Sequence, residues 1–133
     1  MEPWELSRRT SPNPLIRALQ TDVAAVRLWA SVSLAEAGVT SAAKADPAAG
    51  QLLISLRIDS ESVVRSNCIW ALGRLLDHLV EPRRHEVIEV FVRALLHDRE
   101  RSVRDEARTA LEQMESPDVL DRLQTLMDEG LFS

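Results

Sequence analysis

The sequence predicts an all-α fold, a right-handed α-α superhelix of about three helical hairpins followed by a capping half repeat. The first observation is a repeated Val-Arg pair, at Val26-Arg27, Val64-Arg65 and Val103-Arg104, with the arginines 38 and 39 residues apart. A period of this size in an apolar-periodic sequence is typical of a helical solenoid. The second is composition: the chain has no tyrosine, 4% aromatic residues and four glycines. This composition favours helices over strands.

The first repeat is predicted at residues 13–38. Asn13-Pro14 suits a helix start, because asparagine caps helices well and proline fits their first position. A short helix A follows, and helix B is expected from about Asp22 to Ala37, with Gly38 ending it. The small and polar residues that follow, up to residue 45, predict a loop-like insertion between the first two repeats.

The second repeat is predicted at residues 46–80. Asp46-Pro47 is expected to start helix A, with the aspartate as cap and the proline in the first turn, and the helix should run to about Arg57. Asp59-Ser60 then caps helix B, from about Glu61 to Leu79. Its apolar residues recur every three or four positions, as on the buried face of a helix: Val64, Cys68, Leu72, Leu75 and Leu79.

The third repeat is predicted at residues 82–115 and begins at a proline. Its helix B is expected from about Arg101 to Met114. The half repeat, residues 116–130, opens with Ser116-Pro117-Asp118, a cap followed by a first-turn proline, and Gly130 ends it.

All 133 residues are interpreted as a single domain, 1–133. The chain is 45% hydrophobic and 28% charged, which is typical of a globular protein. It contains one cysteine and no run of about 20 apolar residues, so the sequence predicts a cytoplasmic protein without a membrane span. Trp4 and Leu6 are expected to fold back over the first repeat.

The segments Asp59 to Gly73 and Asp98 to Leu111 carry the repeated pattern most fully. With Val-Arg followed by a small residue and then Ala-Leu-Gly or its variant, they resemble HEAT repeats, of the short HEAT-like type first named in phycobilin (phycocyanobilin) lyases. The resemblance covers about residues 13–127 and implies a HEAT/armadillo-like solenoid. It also implies that the repeated acids and arginines form a structural ladder along the stack: Asp59, Arg65, Asp98, Arg104 and Arg27.

A second set of B-helix residues varies between repeats, two, five and nine positions after each arginine. In solenoids of this family the B helices line the concave side, so this set is the predicted partner-binding face. With His78 added, it comprises Trp29, Val32, Glu36, Asn67, Trp70, Arg74, His78, Glu106, Thr109 and Gln113. Trp29 and Trp70 carry most of the prediction, because exposed tryptophans are enriched in binding hot spots. The alternative for each ring is packing between helices as part of the core.

No catalytic, metal or cofactor site is predicted. Cys68 occupies a core position, and His85-Glu86 is a lone pair where a di-iron HEAT-fold hydroxylase needs several. The proposed concave set holds one arginine against two glutamates, and Arg83-Arg84 is expected in a turn outside the groove. A nucleic-acid partner is therefore not expected, because phosphate binding requires clustered basic residues.

The sequence thus predicts a non-catalytic protein–protein interaction module, an adaptor or regulatory scaffold that binds another protein. Two alternatives remain open at this point. The first is an accessory subunit of a phycobilin lyase-type system acting on phycobiliproteins, which a change in the absorbance of an added bilin would reveal. The second is a homodimer joined through the apolar helix edges at the ends of the stack, which light scattering would detect.

Overall fold

The computed structural model describes residues 13–132. Within this range it contains seven α-helices: α1 Asn13–Ala18, α2 Ala24–Val39, α3 Ala42–Ile58, α4 Ser62–Leu75, α5 Arg83–His97, α6 Arg101–Gln113 and α7 Pro117–Asp128. A short 3-10 turn, Leu76–His78, extends α4. The described residues include no β-strand.

The helices pair into three hairpins, α1–α2, α3–α4 and α5–α6, and α7 packs as the first half of a fourth. The second helices of the hairpins, called B helices below, stack directly on each other: α2 contacts α4, and α4 contacts α6. This order of packing confirms the predicted α-α solenoid. The A helices α3 and α5 contact each other less extensively than the B helices do.

One continuous apolar core runs along the stack between the two layers of helices. Phe91, Leu34, Ile69 and Leu111 are fully buried, and each comes from a different helix. Because each hairpin buries its apolar stripe against its neighbours, the stack is stabilised by contacts between adjacent repeats. The predicted core cysteine, Cys68, is fully buried as well.

The start of helix A in the second repeat differs from the prediction. Helix α3 begins at Ala42, and Pro47 lies inside it, so Asp46-Pro47 is not its first turn. Ala45 explains the longer helix: it is fully buried, and its Cα lies against Gly38 of α2. Tertiary packing of this alanine outweighs the cost of an internal proline close to the helix start. The predicted insertion at residues 38–45 therefore shrinks to the short connection at Thr40 and Ser41.

The remaining helices lie close to their predicted positions. Helix α2 extends to Val39, one residue past the predicted glycine stop. Helix α7 ends in the geometry typical of a glycine C-cap, because Gly130 has φ +76° and the N–H of Leu131 donates to the Leu126 carbonyl at 3.0 Å. The predicted fold-back of Trp4 and Leu6 concerns residues outside the described range.

Candidate functional site

The repeated arginines connect neighbouring hairpins. Nε and Nη2 of Arg27 donate to the two carboxylate oxygens of Asp59, at 2.7 and 3.1 Å, while its Nη1 donates to the Thr21 carbonyl at 3.0 Å. Arg65 repeats the arrangement with both oxygens of Asp98, at 2.9 and 3.0 Å, and with the Asp59 carbonyl at 2.9 Å. Each arginine therefore closes the turn of its own hairpin and holds the aspartate of the next.

Each of these aspartates also forms a turn of its own. Asp59 accepts a hydrogen bond from the N–H of Glu61 at 2.9 Å, and Asp98 accepts one from the N–H of Glu100 at 3.0 Å. Burial is the largest single influence on both aspartates and by itself acts to raise the pKa. The hydrogen bonds from arginine and from the backbone together outweigh it, so the pKa of each aspartate is lowered. The aspartates are thus held as carboxylates.

The ladder arginines are part of the scaffold. Only 4% of the Arg65 side chain is exposed, and every buried polar side-chain atom in the described residues has a hydrogen-bond partner. Arg104, the third ladder arginine, donates to the Asp98 carbonyl at 2.6 Å. All three guanidinium nitrogens of Arg27 and of Arg65 thus donate to partners within the stack.

The predicted partner-binding residues lie on the B helices outside the core. None of the ten is buried: Trp29, Val32, Asn67 and Glu106 are half-buried, and Glu36, Trp70, Arg74, His78, Thr109 and Gln113 are exposed. They come from α2, α4, α6 and the 3-10 turn, and these B helices lie side by side. The unrepeated positions therefore form one solvent-facing surface that crosses three hairpins.

The two tryptophans of this surface differ in their surroundings. Trp29 is half-buried and packs against the apolar core. Trp70 is 39% exposed, and the guanidinium carbon of Arg74 lies 5.3 Å from the centroid of its ring. Arg74 also forms an ion pair with Glu36 of the preceding B helix. Arg74 therefore links the Trp70 ring to the preceding B helix through stacking and an exposed ion pair.

Trp70 lines two depressions. The larger, of ≈ 340 Å³, lies between α4 and α6 and includes Ile69, Gly73 and Met114 in its lining. The smaller, of ≈ 260 Å³, is lined by Val32, Ser66, Asn67, Trp70 and Glu106. The exposed Trp70 ring therefore contributes to both depressions, each of which offers space for a side chain of a partner.

Two charged residues of the larger depression were not predicted. Arg84 lines it and donates to the Leu76 carbonyl at 2.7 Å, and Asp77 lies beside it. The prediction placed Arg83-Arg84 in a turn outside the groove; instead, both open helix α5, because the helix starts directly after Pro82. Arg84 lies on the B-helix side because α5 begins at Arg83, and the local sequence does not predict this starting point.

The other candidate groups remain separate. Burial raises the pKa of the Cys68 thiol to about 12, which keeps it protonated and unreactive at neutral pH. Nε2 of His85 lies 3.8 Å from Glu89, at an exposed position of α5. The described part of the chain contains no cluster of three or more metal-ligating side chains, and none of its helices is long and apolar enough to cross a membrane.

The sequence matches a known protein-family model. A protein-family model described as HEAT repeats matches residues 51–131, which is more than half of the chain. Among the curated proteins, no match was found. The matched segment includes α4, α5 and α6, and with them Trp70, Arg74 and the Arg65–Asp98 rung of the ladder.

Proposed function

The chain belongs to the HEAT-repeat family, and from this premise we propose that it is a non-catalytic protein-binding module whose partner docks on the B-helix surface around Trp70. HEAT repeats commonly act as protein-interaction scaffolds. The observation that carries the proposal is the exposed Trp70 ring, which stacks with Arg74 and lines two depressions.

Packing supports the choice of this side of the stack. The B helices contact each other more extensively than the A helices α3 and α5 do. In a curved stack the inner layer is the more closely spaced one, so the B helices correspond to the concave side on which extended binding surfaces form. A partner segment lying there would cross several hairpins at once.

Residue chemistry supports a protein as the occupant. Tryptophan and arginine are enriched in hot spots, and the charges that line the larger depression are balanced, with Arg74 and Arg84 against Asp77 and Glu106. Such a surface suits an apolar anchor with a polar rim. Phosphate-rich ligands need an excess of positive charge, which this lining lacks.

The expected contribution of Trp70 follows from its exposed area. A tryptophan side chain buries about 200 Å² when fully covered, so covering the exposed 39% removes about 80 Å² from water. At about 25 cal/mol per Å² this contributes about 2 kcal/mol to binding. Trp70→Ala is therefore expected to weaken partner binding about thirtyfold.

The experiment is a quantitative pull-down from native lysate with the full chain, followed by titration of the recovered protein against purified variants. Leu120→Ala is the matched control, because Leu120 is 42% exposed but lies on α7 and lines neither of the two depressions. Trp70→Ala should lose the partner, Leu120→Ala should keep it, and both should melt within a few degrees of the wild type. Equal retention by Trp70→Ala would contradict the proposal. So would recovery of a phycobiliprotein together with a changed bilin absorbance, which would favour the lyase-associated alternative.

A further inference from the structure

The arginine ladder contains two complete sets of contacts, at Arg27 and Arg65, and an incomplete third set at Arg104. Arg27 and Arg65 each donate to a carbonyl of their own turn and to both oxygens of an aspartate in the next hairpin. Arg104 makes the carbonyl bond, to Asp98 at 2.6 Å. Within residues 13–132, no carboxylate contacts its guanidinium. In Arg27 and Arg65 the Nε and Nη2 atoms donate to an aspartate, whereas those of Arg104 have no aspartate partner among the described residues.

What the first two arginines bind is the same structural element. Arg27 holds Asp59-Ser60-Glu61, and Arg65 holds Asp98-Arg99-Glu100. In both, the aspartate accepts the N–H of the glutamate two positions later, so the carboxylate is fixed before it meets the guanidinium. This element is called the Asp-x-Glu turn below. Each ladder arginine thus recognises a preformed turn by two parallel hydrogen bonds.

The surroundings of Arg104 are open and positively charged. A depression of ≈ 410 Å³ lies beside it, and its charged lining consists of Arg101, Arg104, Arg108 and Asp105. The Arg101 side chain is 85% exposed, with its Nε 3.7 Å from Asp105. Arg108 stacks on Phe132 at 5.2 Å from the ring centroid and donates to Glu112. Arg101 and Arg108 each face a carboxylate, so among the described residues it is the charge of Arg104 that favours an acidic occupant.

We propose that the guanidinium of Arg104 is a binding site for an Asp-x-Glu turn of a partner protein, which would continue the ladder beyond the third repeat. The turns of a second copy of this chain are not expected to bind Arg104. Asp59 and Asp98 are already held internally, and the turn at the first hairpin reads Thr21-Asp22-Val23. This site lies on the turn side of α6, apart from Trp70, and does not depend on the function proposed above.

The probe for the test is a capped peptide that copies residues 55–63, which contain the Asp59-Ser60-Glu61 turn. It is titrated into the ¹⁵N-labelled full chain while the arginine Nε–H signals are followed by NMR, with the Arg104 signal assigned by its loss in Arg104→Lys. We expect that signal to move with a Kd of about 1 mM, since a short peptide must order on binding.

Two changes test the recognised groups separately. The peptide carrying Asp59→Asn lacks the charged acceptor, and Arg104→Lys keeps the positive charge but loses the two parallel N–H donors; each should weaken binding at least about tenfold. Because Arg104→Lys has no Arg104 signal, its binding is followed on the Nε–H signals of Arg101 and Arg108, which line the same depression. Arg17→Lys, at an exposed position of α1, is the matched control and should bind as the wild type does.

Three results would overturn the proposal: no movement of the Arg104 signal up to about 10 mM peptide, equal binding of the asparagine peptide, or equal binding by Arg104→Lys. Circular dichroism melts establish that the variants are folded. If Arg104→Lys unfolds, the comparison of the two peptides on the wild-type chain decides the question alone.

Discussion

Asp98→Asn is the sharpest test of the ladder as a stabilising element. The Asp98 side chain is 10% exposed and the Arg65 side chain 4%, so the substitution leaves a buried guanidinium without its counter-charge. Breaking a buried pair by removing one partner costs about 3–5 kcal/mol. Because the amide retains one acceptor oxygen, we expect a loss near the lower end, about 3 kcal/mol of unfolding free energy, or a fall in Tm of about 10 °C.

The matched control is Asp46→Asn. Arg83 also forks onto Asp46, at 2.9 and 3.4 Å, and this pair likewise joins neighbouring hairpins. The Asp46 side chain, however, is 58% exposed. Water screens that pair, so its loss should cost about 0.5 kcal/mol. Both substitutions remove a carboxylate that binds an arginine of a neighbouring hairpin. They differ in burial, in the N–H of Glu100 that Asp98 also accepts, and in the second carboxylate, Glu86, that Arg83 keeps.

Urea unfolding followed by circular dichroism measures both losses by linear extrapolation. The ladder explanation requires Asp98→Asn to lower the midpoint several times more than Asp46→Asn does, with similar slopes. Equal losses in the two variants would refute the reasoning, because burial would then not control the contribution of the rung.

Four further outcomes follow from the structure. Asp59 and Asp98 have folded pKa values below the unfolded value of about 3.9, so the stability they supply is present above that pH and is lost as the pH falls through the folded values; the urea midpoint should drop below about pH 4, and less steeply in Asp98→Asn. Cys68, with its pKa raised to about 12, should resist a thiol reagent at pH 8 in the folded protein and react fully in urea, and rapid labelling of the folded protein would count against its burial. Gly73→Ala should stabilise the protein by about 0.5–1 kcal/mol, since its Cβ meets open space in a helix. Gly38→Ala should destabilise it because the new Cβ collides with the buried Leu75, and thermal melts that ranked the two glycine variants the other way would contradict this packing.

The repeat made most of the fold predictable. Val-Arg pairs 38 and 39 residues apart fix the B helices, and the apolar spacing after them identifies core residues such as Leu72 and Leu111. The predicted start of α3 is wrong by five residues. Asp46-Pro47 is a strong local start signal, whereas the burial of Ala45 against Gly38 depends on a contact between two helices. Local signals cannot report such a contact.

The binding surface was predictable in its rows but not in its detail. Comparing repeats identified Trp70 and Arg74 as unrepeated residues, and the structure places them on one exposed face. The comparison of repeats does not decide whether Trp29 is packed or exposed, because that depends on how closely α2 packs against its neighbours. Arg84 was placed outside the groove, because an A-helix residue reaches the B-helix side only through the tertiary arrangement.

The ladder also determines how such a chain can lengthen. Its two rungs join Arg27 to Asp59 and Arg65 to Asp98, residues 32 and 33 apart, so each rung reaches only one hairpin ahead. A tandem duplication of residues 59–97 would give Arg65 the new copy of Asp59, and the new copy of Arg65 would take Asp98. Every existing rung would keep an aspartate partner, and one rung would be added. A gene that duplicates such a segment therefore inserts a hairpin whose ionic contacts are already matched at both junctions, and arrays can grow from within by whole repeats.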